Sequence, residues 1–144
     1  MSTITSANAV VLLAVGNVFP VPQVLEKFSM DSNFTSEAMK LTENRLGVDG
    51  EIAKGKIFSL VPVTITLMPD SPSINFFNIV SQYIILQDTV DVTLVITLLS
   101  TGYVYTLRKG GLTDWKIIPD GKKVLEPQEA KIEFPSKYIT VVGF

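Results

Sequence analysis

Two long stretches of strict alternation dominate the middle of this chain. From Lys56 to Met68, Val63, Ile65 and Leu67 fall on one side and Thr64 and Thr66 on the other, the period of a half-buried strand. Pro62 removes a ladder donor and marks an edge or a bulge. Thr89 to Leu99 repeats the pattern, with Val90, Val92, Leu94, Ile96 and Leu98 directed inward. Its other face, Asp91, Thr93, Val95, Thr97 and Leu99, is more apolar than a face meant for water. Between the two lies a different rhythm. Phe76, Phe77, Val80, Tyr83 and Ile84 recur at helical spacing, opposite a polar stripe of Asn75, Asn78 and Gln82. Ser71 is placed to cap this helix and Pro72 to open it, so a helix is expected over about 71–87. Its polar stripe carries no charge, which is unusual for a purely solvated face.

The flanks read as shorter strands. Ala9 to Val15 is an apolar run ended by Gly16-Asn17, and Pro20 and Pro22 then predict an edge strand or extended connector. Asp31-Ser32-Asn33 signals a turn, followed by a polar loop to about Lys40. Ala38 to Val48 is a candidate strand closed by the hairpin pair Asp49-Gly50. Tyr103 to Arg108 forms a strand with Tyr103, Tyr105 and Leu107 on one side. Gly110-Gly111 and Pro119-Asp120-Gly121 predict turns, and Ala130–Phe134 and Tyr138–Val142 close the chain around Pro135. The class is mainly β with one helix.

From Ile57 to Leu107 there is no Lys or Arg, and the only acids are Asp70, Asp88 and Asp91. Exposed sheet edges are usually guarded by charge, Lys above all. These strands are therefore either core or covered by copies of the same chain.

Composition narrows the class. The 144 residues are sufficient for one domain with a sizeable core. They are 47% hydrophobic and only 18% charged, with a net charge of −2 and a pI near 5.1, which argues against disorder and against tight nucleic-acid binding. No run approaches the roughly eighteen apolar residues of a membrane helix. Ala9–Val15 lacks the basic flank of a signal peptide. Cys and His are both absent, which removes disulfides, thiolate nucleophiles, Ser-His triads and imidazole metal sites.

The remaining motifs carry little chemistry. Gly50-Glu51-Ile52-Ala53-Lys54-Gly55-Lys56 has the glycines and lysine of a phosphate-binding loop. It lacks the following Ser or Thr, and a strand pattern replaces the required helix. Asn33-Phe34-Thr35 is a chance glycosylation tripeptide in a loop. Glu126 with Glu129, and Asp88 with Asp91, are spaced like scattered surface carboxylates, and the single Trp115 suits a packing anchor. No catalytic residue, cofactor site or metal site is expected.

The order of elements then carries a resemblance. Val48-Asp49-Gly50-Glu51 ends a strand, a Lys/Gly turn follows, and a long strand closes on Thr64-Ile65-Thr66-Leu67 before Ser71-Pro72-Ser73 opens the helix. This resembles the tail tube proteins of contractile-tailed bacteriophages and is similar to the related tube-initiator proteins, over roughly Met39 to Phe144. The Ala9–Val24 segment departs from their usual start. The resemblance implies an antiparallel β-sandwich or partial barrel with one flanking helix, built as a single domain. Six copies would form a ring and rings would stack into a hollow tube in the virion tail, after synthesis in the host cytoplasm. Sheath and baseplate proteins would be partners, and DNA would pass through the lumen without specific binding. The contact candidates on this view are Asp49, Gly50, Glu51, Lys54 and Lys56 in the glycine loop, Thr93 and Thr97 on a strand, and Asn75, Asn78 and Gln82 on the helix. Two other readings stand beside it: an accessory tail protein of the same fold (initiator, terminator or baseplate hub component), and a monomeric β-sandwich binding module.

The glycine-lysine segment gives a direct test. Titration with ATP and magnesium in a calorimeter should show no saturable heat, whereas saturable binding that Lys56→Ala abolishes would mean the loop holds phosphate.

Overall fold

The computed structural model describes residues 9–16, 18–25, 34–99, 101–118, 121 and 125–143. The expected turns at Asp31-Ser32-Asn33 and Pro119-Asp120 and the tripeptide start at Asn33 lie outside them. Ten strands and one α-helix follow in the order β1 Ala9–Val15, β2 Phe19–Val24, β3 Phe34–Ser36, β4 Thr42–Leu46, β5 Ile52–Lys56, β6 Leu60–Leu67, α1 Ile74–Leu86, β7 Val92–Leu98, β8 Tyr103–Trp115, β9 Gln128–Pro135 and, after a 3-10 turn at Ser136–Tyr138, β10 Ile139–Gly143.

All strand pairs are antiparallel, and all but β4–β5, which stand apart as a sheet of two, lie in two layers. The first runs β2-β1-β7-β8, with β10 on the far side of β8; the second runs β8-β9-β6-β3. β8 belongs to both. Its first half pairs with β7 and β10 and its second half with β9. Two bulges on β8 make this possible. Val92 opposes Gly110 while Leu94 opposes Leu107, and Leu112 opposes Ile132 while Asp114 opposes Lys131. Each inserts an extra β8 residue, which bends and twists the strand from one sheet into the other. Lys109 sits in the first bulge at φ 56. The expected turn at Gly110-Gly111 is thus a bend inside one long strand. A Cβ on Gly110 would collide with the Phe134 ring, so glycine there makes room for a side chain of the neighbouring strand β9 to lie across β8 and does not reverse the chain.

The alternating residues fill the space between the layers. Val63, Ile65 and Leu67 of β6, Val92 and Leu94 of β7, Val11, Leu13 and Val15 of β1, and Ala130, Ile132 and Phe134 of β9 form one core. α1 packs on this core through Phe76, Phe77 and Val80. Phe19 stacks on Phe76 at 4.5 Å and Trp115 on Phe77 at 5.0 Å between ring centroids. Trp115 also donates from Nε1 to Asn78 Oδ1 at 2.8 Å, tying the helix to the end of β8.

The helix starts at Ile74, later than Ser71-Pro72 predicts, because Ser71 Oγ accepts the Ser73 N–H and the Ile74 N–H donates to the Ser71 carbonyl. That closes a tight turn before the helix proper. The region from Lys56 to Met68 is also two elements, since Ile57–Ser59 separates β5 from β6. β3 is a short strand inside the expected polar loop, where Phe34 pairs with Ile65.

The bend predicts a contrast between adjacent glycines. Gly110→Ala should lose about 1–3 kcal/mol of stability by overpacking against Phe134. Gly111→Ala meets open space and should stay within about 0.5 kcal/mol of the parent. Urea unfolding of both variants checks this; equal stabilities would mean the Phe134 ring does not lie across Gly110 as described.

Candidate assembly surface

Every residue of β4 and β5 is exposed. The two strands form their own two-stranded sheet, paired from Thr42↔Lys56 to Leu46↔Ile52, and no third strand joins them among the described residues. An isolated hairpin is marginal in water, yet this one carries Leu46 and Ile52 on one exposed face and a fully exposed Val48 at its tip. Its turn is well formed. The Gly47 N–H donates to the Glu51 carbonyl at 2.7 Å, the Glu51 N–H donates to Asp49 Oδ1 at 3.1 Å, and Gly50 takes φ 84. Among the described residues nothing covers the apolar side chains of this arm.

The predicted residues fall at three places. Asp49, Gly50 and Glu51 form the arm tip, and Lys54 and Lys56 lie on its returning strand. This disposes of the phosphate-loop pattern physically, since Lys56 ends a strand and no helix N-terminus follows. Thr93 and Thr97 are half-buried on the outer face of β7, the centre of the first layer, beside Ala14 and Val10 of β1. They can meet a neighbour by their face, but an internal strand has no edge to offer. On α1, Asn75 and Gln82 point away from the core, while Asn78 is turned inward to Trp115.

The sheet edges differ in their protection. β2 carries Pro20 and Pro22, which remove two backbone donors, and β3 is only three residues long. β10 has neither defence. Among the described residues it pairs with β8 alone, and Ile139-Thr140-Val141-Val142-Gly143 contains no charge and no proline. Beside it the two layers gape into a mainly apolar cleft of about 410 Å³, lined by Phe34, Met39, Val61, Tyr105, Ile139 and Val141 among others. This unguarded edge lies outside the base-free stretch that the sequence singles out. Its signal is the charge-free run after Lys137, too short to stand out.

A second feature is invisible in the linear order. The β8–β10 pairing gathers Arg108, Lys109 and Lys137 around one ring: their cationic centres lie 5.5, 4.7 and 5.7 Å from the Tyr138 centroid. Lys109 Nζ is also 3.5 Å from the Tyr138 hydroxyl. All three cations are exposed, and none has an ion pair among the described residues. Each cation-ring contact contributes about 0.5–1 kcal/mol at such a site.

Among the described residues no three His, Cys, Asp or Glu side chains converge on a point, and no helix is long and apolar enough to cross a membrane.

No curated protein sequence is significantly similar to the chain. Its fold matches a chain in the extended-state sheath/tube terminator of the extracellular contractile injection system PVC, with a TM-score of 0.61 at 12% identity over 99% of both chains. It matches a chain in the anti-feeding prophage baseplate with a TM-score of 0.57 at 16% identity, over 99% of this chain and 98% of that one. A chain in the PVC sheath-tube complex gives a TM-score of 0.57 at 13% identity, covering 93% of this chain and 88% of that one. At these identities the likeness is one of fold. The model of the family described as tail fiber protein gp32 matches residues 2–137, and the chain belongs to that family.

Proposed function

We propose that this protein is a non-enzymatic structural component of a contractile tail, whose copies associate into a hexameric ring around the tube axis. The observation that carries this is the unguarded β10 edge beside an open apolar cleft. A strand edge without charge, proline or cover recruits another chain, and a closed ring of identical copies satisfies every edge at once. The family's tail description and the fold shared with baseplate, terminator and sheath-tube chains of contractile particles support the setting. In that ring the outer face with Thr93 and Thr97, and the helix face with Asn75 and Gln82, are contacts for the surrounding layer of sheath or baseplate protein. Stacked rings would make a conduit, with DNA passing through an acidic to neutral lumen that does not hold phosphates.

A second reading keeps the ring but not the long tube. The family description names a tail fiber protein, and fold matches occur in baseplate, cap and terminator assemblies. On this reading the chain forms one ring at an end of the tube.

Electron microscopy of the purified full chain separates these outcomes, since tubes, single rings and monomers look different. Thr140→Lys combined with Val142→Lys places two guard charges on exposed positions of β10 and should abolish rings while leaving the thermal midpoint within a few degrees. Rings that form equally well with both lysines in place would remove β10 from the interface, and a wild-type chain that stays monomeric at high concentration would overturn self-assembly itself.

A further inference from the structure

The Tyr138 cluster concentrates positive charge on a small area. Like charges about 8 Å apart in water repel by about 0.5 kcal/mol, so three cations around one ring favour the arrival of negative charge. Lys109 adds a second cost. Its left-handed backbone disfavours any side chain by about 1–2 kcal/mol relative to glycine, yet the bulge carries a lysine that folds back over Tyr138.

The matching anion lies on the arm. Gly47-Val48-Asp49-Gly50-Glu51 contains two acids and no base, and the whole segment is exposed. Arg45 and Lys54 stand back on the stem. In this structure the arm's root adjoins the cluster: the Ser59 N–H donates to Ser136 Oγ at 3.0 Å and the Ser136 N–H donates to the Ser59 carbonyl at 2.8 Å, one residue from Lys137. The tip is carried away from that root by two strands of five residues each, about 17 Å at 3.4 Å per residue. Donor and acceptor therefore sit at the two ends of one projecting element. Copies repeated head to tail at about one arm's length bring each tip to the next copy's cluster, a heterologous contact that can repeat around a ring or from ring to ring.

We infer that the Arg108–Lys109–Lys137 cluster around Tyr138 receives the acidic tip of the β4–β5 arm, Asp49 and Glu51, from a second copy of this chain. The inference rests on the self-assembly proposed above and names the contact that gives it polarity. A compact group of three cations fits two carboxylates on one turn. Duplex DNA would require a longer track of bases to gain comparable affinity, and the surrounding sequence interleaves Asp114, Glu126, Glu129 and Glu133 with its bases.

Sedimentation velocity on the full chain at about 50 mM and about 500 mM salt tests the contact. Lys109→Glu with Lys137→Glu should weaken assembly at least about tenfold at low salt, the scale of close interfacial charge pairs. Asp49→Asn with Glu51→Lys should do the same, the asparagine keeping the oxygen that closes the turn. Combining both sets should recover part of the loss, because the cluster then carries one net negative charge and the tip one positive, so opposite signs face each other again. Lys109→Gly offers a check that misfolding cannot mimic: it should raise stability while weakening assembly. If the wild type assembles and neither charge set changes it, or the combination fails to recover, the contact is wrong while self-assembly stands. If the wild type never assembles at either salt, self-assembly itself is wrong and the contact falls with it. Submicromolar duplex-DNA binding that Lys109→Glu with Lys137→Glu removes, without change in assembly, would assign the cluster to nucleic acid and overturn the inference.

Discussion

The close approach of Gly110 to the Phe134 ring is the constraint on which the rest of this fold depends. It lets Phe134 of β9 lie across β8 at the bulge where that strand passes from its pairing with β7 to its pairing with β9. Because β8 turns from one layer into the other, β9 and β10 follow it on the same side, and only β9 gains a second neighbour in β6. β10 is left with one partner and an open edge. The same bend places Arg108 and Lys109 where β10's approach brings Lys137 and Tyr138. At its far end β8 carries Trp115 onto Phe77 and Asn78, which seats the helix. Interior density is high enough that one added methyl group is felt, so this single close contact links the helix, the free edge and the cationic cluster.

How much of this was legible follows from which signals are local. The period-two strands of β6 and β7 read directly, because each inward residue is buried by its own alternation, and the same holds for the helix face of Phe76, Phe77 and Val80. The edge role of β2 was legible from Pro20 and Pro22, since a missing donor acts on its own residue. The Gly110-Gly111 bend was not. Glycine pairs mark turns and close approaches alike, and only the position of Phe134, far along the chain, decides between them. Lys56 and Ile57 blur two strands into one for the same reason: the break depends on the bonds of Ser59 to Ser136.

The contact surface shows the same division. The arm was visible because its glycines, its hairpin pair and its mixed charge lie within one short segment. Its acceptor was hidden, as Lys137 joins Arg108 and Lys109 only through the β8–β10 register. The base-free stretch did mark an unusual sheet, but most of it is the core and the outer face of that core. The most vulnerable edge lies after it, in a strand too short to register as a pattern.

What unites the arm, the open edge and the cationic ring is that each presents a complete geometry with nothing among the described residues to cover it. Contractile-particle chains with this fold include those in baseplate, terminator and sheath-tube assemblies, and the family is described as a tail protein. Hydrogen–deuterium exchange, comparing assembled particles with the chain dissociated at high salt, tests whether partners of the same kind complete these surfaces. Assembly should slow exchange at the amides of Ile139–Gly143 and of the arm from Gly47 to Ile52, and leave the proline-blocked edge strand Phe19–Val24 unchanged. Equal exchange at Ile139–Gly143 in both states would contradict the account.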